Sequence, residues 1–429
     1  MPPRRQNPTR NKIFDYEKAP KTAPFFFPLS FAQHIVIIHE MASKLISLSW
    51  PQVIARRLAR QGLGTPMQDS HPAQVVSAMC GAHAQVLSAA ELSIGIRHSQ
   101  LTRADIQRAH WVDHTLIKTF GPRGTVHLLP ATDFGLWLGA LSAIPWPEVN
   151  LPKDARLTSA QSEKVVAAIS DALEDSELTV DELSKEVIAR CGTWAGDLTI
   201  PAFQTYWPRW RLAIGTAAAR GVLCFAPNRG RNVTYTNPRR WFPKLKPTIE
   251  KKSLRWIVLE YLHAYGPATP QHFAQWLVNP GLARWAAELF EDLGKDLRKV
   301  DVDGLQAWVT ADEAGFPNEK PHSLRLLPYF DAYIVASHPR GQIFPRHAAE
   351  RAMARGQPGN FPILLIDGVV AGVWHQRRSG RNLHITVEAL NELSMSRKRD
   401  LDVQVARIGE FLDAKPKLTI GKVSAGAHA

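Results

Sequence analysis

The chain reads as an α+β protein: helix-rich units recur along most of its 429 residues, and a small strand-rich region closes it. Three observations predict this. Amphipathic segments with helix start and stop signals recur. Each group ends in a Gly-marked hairpin, and after residue 320 the pattern shifts to short runs of Leu, Ile and Val. Three helices followed by a hairpin is the outline of a winged helix. The expected architecture is therefore three tandem winged helix modules followed by a small C-terminal antiparallel β-barrel-like domain.

In the first unit, Ser49-Trp50-Pro51 reads as an N-cap and first turn ahead of Val53, Ile54 and Leu58 at helical spacing. A second helix starts near His71 and carries Val75, Val76 and Met79, and a third runs from about Leu87 to Arg97. Thr102-Arg-Ala-Asp105 has the form of a capping box that opens a further short helix. Residues 116–129 alternate and contain Gly121-Pro122 and Gly124, the signature of a hairpin.

The second unit repeats the plan, with two helices over 158–190 and a third expected from about 202 to 220, stopped by Gly221. Its hairpin turns at Pro227-Asn-Arg-Gly230. A third copy has helices at 253–265, 269–276 and 283–300, then a hairpin over 300–310 turning at Asp303-Gly304. Beyond 320, short strands are expected at 324–327, 333–335, 363–366, 369–374 and 383–387, with a helix near 396–412 and a loose tail. The boundaries that follow are 41–147, 153–245 and 248–318 for the modules, 320–413 for the barrel-like domain and 414–429 for the tail.

Residues 1–40 are basic and Pro-rich, then briefly apolar. The apolar run is broken by Pro24, Pro28, Gln33 and His34 and falls short of the roughly 20 residues a membrane span needs. They read as a disordered upstream extension with Met41 as the functional start. Lys and Arg number 52 against 39 Asp and Glu, a formal charge of +13. That balance favours a polyanionic partner, nucleic acid before an anionic membrane surface. Cys80, Cys191 and Cys224 are isolated and odd in number, which excludes a disulfide framework and fits a reducing cytoplasm. Neither His338 with His347 nor His375 with His384 has ligand spacing for one helical turn, so no metal and no cofactor is expected.

Phosphate-binding GxxxxGK[ST], GxGxxG after a strand, GxSxG and HExxH motifs are all absent. One segment offers chemistry: Met79-Cys-Gly-Ala-His-Ala-Gln-Val86, where His83 and Gln85 stand two apart past a helix end. In extended backbone such a pair projects to one side and can hold a water between imidazole and carboxamide. On its own, His-x-Gln at such a junction is more often a helix cap with a surface side chain. The remaining candidates are basic: Arg123 at a hairpin tip with His127 on the returning strand, Arg209 and Arg211 among aromatics, Arg229 and Arg231, Arg239 and Arg240, and Arg377 and Arg378 in a basic turn. Arginines on turns suit phosphates, and their recurrence in successive units points to a long anionic ligand, with a solvated surface as the bland alternative for each cluster taken alone.

From about residue 53 to 394 the chain resembles the AlkZ-like and YcaQ-like DNA glycosylases. The resemblance rests on the ordered set Met79-Cys-Gly-Ala-His-Ala-Gln85, Arg123-Gly-Thr-Val-His-Leu-Leu-Pro130, Gly221-Val-Leu-Cys-Phe225, Tyr265-Gly-Pro-Ala-Thr269, Leu326-Leu-Pro-Tyr-Phe-Asp331 and Asp367-Gly-Val-Val-Ala-Gly-Val-Trp374. It implies tandem winged helix modules around duplex DNA and excision of alkylated bases by a monofunctional, water-using enzyme. The family's catalytic pair is Gln-x-Gln or Gln-x-Asp; here His83 takes the first place and Gln85 the second. The expected protein is a monomeric, nucleoid-associated cytoplasmic DNA repair glycosylase for N7- or N3-alkylated, including cross-linked, purines. A non-catalytic winged helix DNA-binding protein is the alternative.

Overall fold

The computed structural model describes residues 45–147, 150–202, 205–278 and 280–427. Contacts divide the chain into residues 1–45 and a unit spanning Ile46–Ala429, and the description below concerns the second. The expectation for residues 1–40 lies outside the described residues. The unit is mixed α/β. It opens with β1 (Ile46–Leu48), α1 (Trp50–Arg60), α2 (Pro72–Ala78), β2 (Ala82–His83), α3 (Leu87–Gly95), α4 (Arg103–Trp111), β3 (Leu116–Phe120), β4 (Val126–Pro130) and α5 (Phe134–Ala143). Helix starts follow the side-chain chemistry that satisfies the first N–H groups. Thr102 Oγ1 accepts from the Asp105 N–H at 3.2 Å, and Asp105 Oδ2 accepts from the Thr102 N–H at 2.8 Å. Strands β2, β4 and β3 form one antiparallel sheet in that order, with His83 opposite His127.

The next stretch holds α6 (Ser159–Ala172), β5 (Leu178–Thr179), α7 (Val180–Cys191), β6 (Leu198–Ala202), β7 (Thr205–Pro208), α8 (Ile214–Ala219), β8 (Cys224–Arg229) and β9 (Asn232–Thr236). Here the expected helix from 202 to 220 is corrected: β6 and β7 pair antiparallel, a 3-10 turn covers Arg209–Ala213, and helix begins only at Ile214. Pro201, Pro208 and the β-branched Thr199, Ile200 and Thr205 disfavour helix there. Trp207 consequently stands 43% exposed, while Trp210 is fully buried.

Helices α9 (Glu250–Tyr265), α10 (Pro270–Leu277) and α11 (Ala283–Leu293) precede β10 (Leu297–Val302) and β11 (Leu305–Thr310), which turn at Asp303-Gly304 as expected. Their sheet has a third member: β1 lies parallel to β10, pairing Ile46 with Val300. The segment before α1 therefore completes the sheet of a distant hairpin, and the Trp50 N–H donates to Asp303 Oδ2 at 3.0 Å across 253 residues.

The C-terminal region comprises β12 (Leu324–Leu327), α12 (Ala332–Ala336), α13 (Arg340–Ile343), α14 (Arg346–Ala352), β13 (Ile363–Ile366), β14 (Val369–Ser379), β15 (Asn382–Ala389), α15 (Met395–Phe411) and β16 (Lys415–Ile420). Strands β12 to β16 form a five-stranded sheet in sequence order. Three expectations change here. Residues 333–335 are helical, because Asp331 Oδ1 accepts from the Tyr333 N–H at 3.0 Å and caps α12. Residues 415–420 are a strand rather than a loose tail. That strand runs parallel to β15, so the sheet is mixed rather than antiparallel throughout.

One buried cluster joins the helices of the first two stretches to this sheet through residues such as Leu58, Val76, Trp210 and Trp374. A second packs α5 against α9, α10 and α11 through Trp137, Tyr261 and Phe273. Side chains of this size each contribute about 1.5–3 kcal/mol on burial, enough to hold the hairpins in fixed places.

Candidate active site

Two left-handed residues deliver His83. Helix α2 ends at Met79, whose carbonyl accepts from Tyr265 Oη at 2.7 Å, and Cys80 (φ 53°) and Gly81 (φ 93°) then turn the chain into β2. Only glycine suits position 81: besides the positive φ, a Cβ would sit 3.1 Å from Leu129 Cδ2. Pairing with β4 fixes the His83 backbone, and the Ala84 N–H donates to Val126 O at 2.7 Å just beyond.

The imidazole of His83 stacks on Phe330 with ring centres 4.8 Å apart and meets the edge of His127 at 5.2 Å. It is 8% exposed, and its Nδ1 has no hydrogen-bond partner. Burial, and secondly the charge of Arg123, push its pKa down to about 3, so the ring is neutral at physiological pH. His127 Nδ1 lies 2.9 Å from Thr125 O, the geometry of an N–H donating to that carbonyl, and burial likewise holds this ring far below the ordinary imidazole range.

Gln85 is exposed. It precedes Val86, the N-cap of α3, and no hydrogen bond joins it to His83 among the described residues. The pair thus presents a buried neutral ring and a solvated carboxamide on either side of Ala84.

Sequence reasoning did not single out the support of this ring. Phe330 holds a φ of 55°, uncommon for a bulky residue, with its N–H donating to Gly359 O at 3.0 Å. The next residue, Asp331, is gripped by Arg97 through two bonds of 2.7 Å and by Ser93 Oγ at 2.5 Å, all fully desolvated. Ser93 belongs to α3 and Arg97 follows it, so the helix that starts beside Gln85 ends on the clamp that sets Phe330 over His83. The Leu326–Asp331 stretch was visible as a motif; the clamp was not.

The basic residues divide. Arg123, expected at a phosphate, instead donates from Nη1 to Trp276 O at 2.5 Å and ties the β3–β4 hairpin to α10. Burial lowers its pKa to about 10. Arg123 is half-buried, and His127 is buried along with the rest of β4. Arg209 pairs with Asp197 at 3.2 Å, and Arg211 lies 4.0 Å over the Trp207 ring. Arg229 pairs with Glu182, Arg240 reaches Thr236 Oγ1 at 2.7 Å, and Arg378 donates to the carbonyls of Gly380, Leu412 and Asp413. Arg231, Arg239 and Arg377 are exposed with no protein partner for the guanidinium among the described residues. No group of three or more His, Cys, Asp or Glu able to hold a metal, and no helix long and apolar enough to cross a membrane, occurs among the described residues.

A neutral imidazole with an unpartnered ring nitrogen beside a carboxamide can orient a water admitted with the substrate without adding charge, which suits hydrolysis at an already cationic centre. The fold and the family match define a DNA glycosylase. The description "DNA glycosylase AlkZ-like" matches residues 76–411, and the chain belongs to that family. The interstrand DNA cross-link repair glycosylase of Streptomyces sahachiroi is 31% identical over 336 residues, which cover 76% of this chain and 87% of that protein. The solved structure of the Streptomyces sahachiroi DNA glycosylase AlkZ aligns with a TM-score of 0.74 at 28% identity, covering 88% of this chain and all of that one.

Proposed function

We propose that this glycosylase hydrolyses the N-glycosidic bond of N7- or N3-alkylated purines in duplex DNA, cross-linked purines included, with His83 and Gln85 as its catalytic residues. The relative's name, an interstrand cross-link repair glycosylase, supports the substrate class. One observation carries the site: the unpartnered Nδ1 of a buried, neutral imidazole two residues before an exposed carboxamide.

The alkylated purine is a cation, so its bond to C1′ breaks with the electron pair leaving on the base. The products of that step are a neutral alkylpurine and an oxocarbenium sugar. Water then adds its oxygen to C1′ and releases one proton, leaving an abasic site. Gln85 accepts a hydrogen bond from this water through its carboxamide oxygen while His83 offers its unpartnered ring nitrogen. Keeping His83 uncharged matters. An imidazolium about 5 Å from the sugar cation would cost about 3 kcal/mol at an effective dielectric near 20, more than the hydrogen bond returns. Burial against Phe330 achieves this, and it explains how histidine can stand where the family carries glutamine.

We read the three helix-and-hairpin stretches as tandem winged helix modules along the duplex, with Arg231, Arg239 and Arg377 contacting phosphates and the chain acting as a monomer on the cytoplasmic nucleoid. The test is base release from duplex DNA carrying N7-methylguanine or a nitrogen-mustard cross-link. Release by the full chain that disappears in His83→Ala and in Gln85→Ala is the expected result. Tight binding without release, or release unaffected by either change, overturns the reading.

A further inference from the structure

A cavity of about 240 Å³ is lined by the residues next in the chain to Gln85 and to Phe330, and nothing in the reaction above uses it. Its walls come mainly from three parts of the chain. The first turns of α3 supply Val86, Ser88 and Ala89; Pro328 and Tyr329 precede Phe330; His375 and Gln376 lie on β14. Both of the first two walls are continuous with the site: Val86 follows Gln85, and Tyr329 precedes the ring that stacks on His83. The lining is apolar, completed by Leu92, Pro362 and Trp374, with a rim of hydroxyl, imidazole and carboxamide and no charged side chain. At this volume it is smaller than the ~300–1,000 Å³ of sites for drug-sized ligands, so it suits a substituent rather than a whole nucleotide. The larger cavity of about 710 Å³ against α2 and α4 is a poor rival, because none of its lining residues adjoins His83, Gln85 or Phe330 in the chain.

We infer that this cavity receives the alkyl substituent of the lesion and sets the adduct preference of the enzyme, favouring an uncharged ring or short chain over a bare methyl group. This rests on the proposed function, since it presumes that the damaged base is presented at His83 and Gln85. An apolar pocket discriminates by how much surface the substituent buries, and the rim groups accept one polar atom on it.

The experiment compares release of N7-methylguanine and N7-benzylguanine from the same duplex by the full chain. Ser88→Trp fills the cavity from an exposed position on the first turn of α3. Its expected effect is a fall of about tenfold or more in the benzyl-to-methyl ratio of kcat/KM, the scale on which apolar pockets separate ligands. Ser88→Ala keeps the wild-type ratio. An unchanged ratio in Ser88→Trp, or equal loss on both lesions, overturns the inference. If the unaltered protein releases neither base, the proposed function fails first and the cavity assignment falls with it.

Discussion

Two hairpins in this protein begin from similar sequence and end in opposite roles. Strands β3 and β4 enclose Arg123 at their tip, and strands β8 and β9 enclose Arg229 and Arg231 at theirs. Every residue of β4 is buried, and its tip arginine is spent on the Trp276 carbonyl. Strand β9 is buried only toward its end, and Arg231 stands free in solvent. An arginine on a turn is therefore not by itself a DNA contact. What packs against the strands decides: the first hairpin is tied to α10 through Arg123 and meets the His83 ring through His127.

The comparison breaks hardest at the clamp. Arg97→Met leaves Asp331 buried without a counter-charge and lets Phe330 leave the His83 ring. The expected cost is about 3–5 kcal/mol, read as a shift in the urea midpoint. Arg229→Met removes the ion pair of the second hairpin, where both partners are solvated, and leaves the midpoint in place. Equal shifts in the two variants would show that the hairpins are not differently built.

A smaller contrast lies at the tips themselves. Arg123→Ala strands the Trp276 carbonyl and removes an inter-element bond, for an expected loss of about 1–3 kcal/mol in stability. The salt dependence of DNA binding stays the same, because no phosphate contact is lost. Arg231→Ala reverses the pattern. Stability holds, while the slope of log affinity against log salt concentration falls by about 1. Fluorescence anisotropy over a salt series measures both slopes, and a slope change in Arg123→Ala would return that residue to the DNA surface.

What could be read from sequence follows the range of the forces involved. The capping pair Thr102 with Asp105, the turn at Asp303-Gly304 and the loop that presents His83 are local, and each was legible. Strand β1 against β10, and Arg97 on Asp331 across 234 residues, depend on distant partners that no local pattern encodes. The hairpin at Leu198–Pro208 was misread because apolar spacing outweighed the prolines that stop a helix. The candidate pair was visible as His-x-Gln. That one member is buried and neutral while the other is solvated depends on Phe330, which only folding brings to His83.

The smallest expected effect concerns pH, and it tests whether the His83 ring on β2, packed against the first hairpin, is shielded from water. The folded pKa of His83 is about 3 against about 6.5 for an unfolded imidazole. A group whose folded value is depressed contributes stability in full above its unfolded pKa, and that contribution fades as pH falls through 6.5 toward 3. For this one residue the loss by pH 5 is on the order of 2 kcal/mol. Within the folded protein, however, the ring stays uncharged over the same interval. Single-turnover release of N7-methylguanine, corrected for spontaneous loss, is therefore expected to vary by less than about twofold between pH 8 and pH 5.5. A rate that falls with a midpoint near the ordinary imidazole value would mean that His83 titrates in contact with water. The ring would then become cationic beside the developing sugar cation, and the distinction between a sheltered first hairpin and a solvated second one would not hold at the point where chemistry occurs.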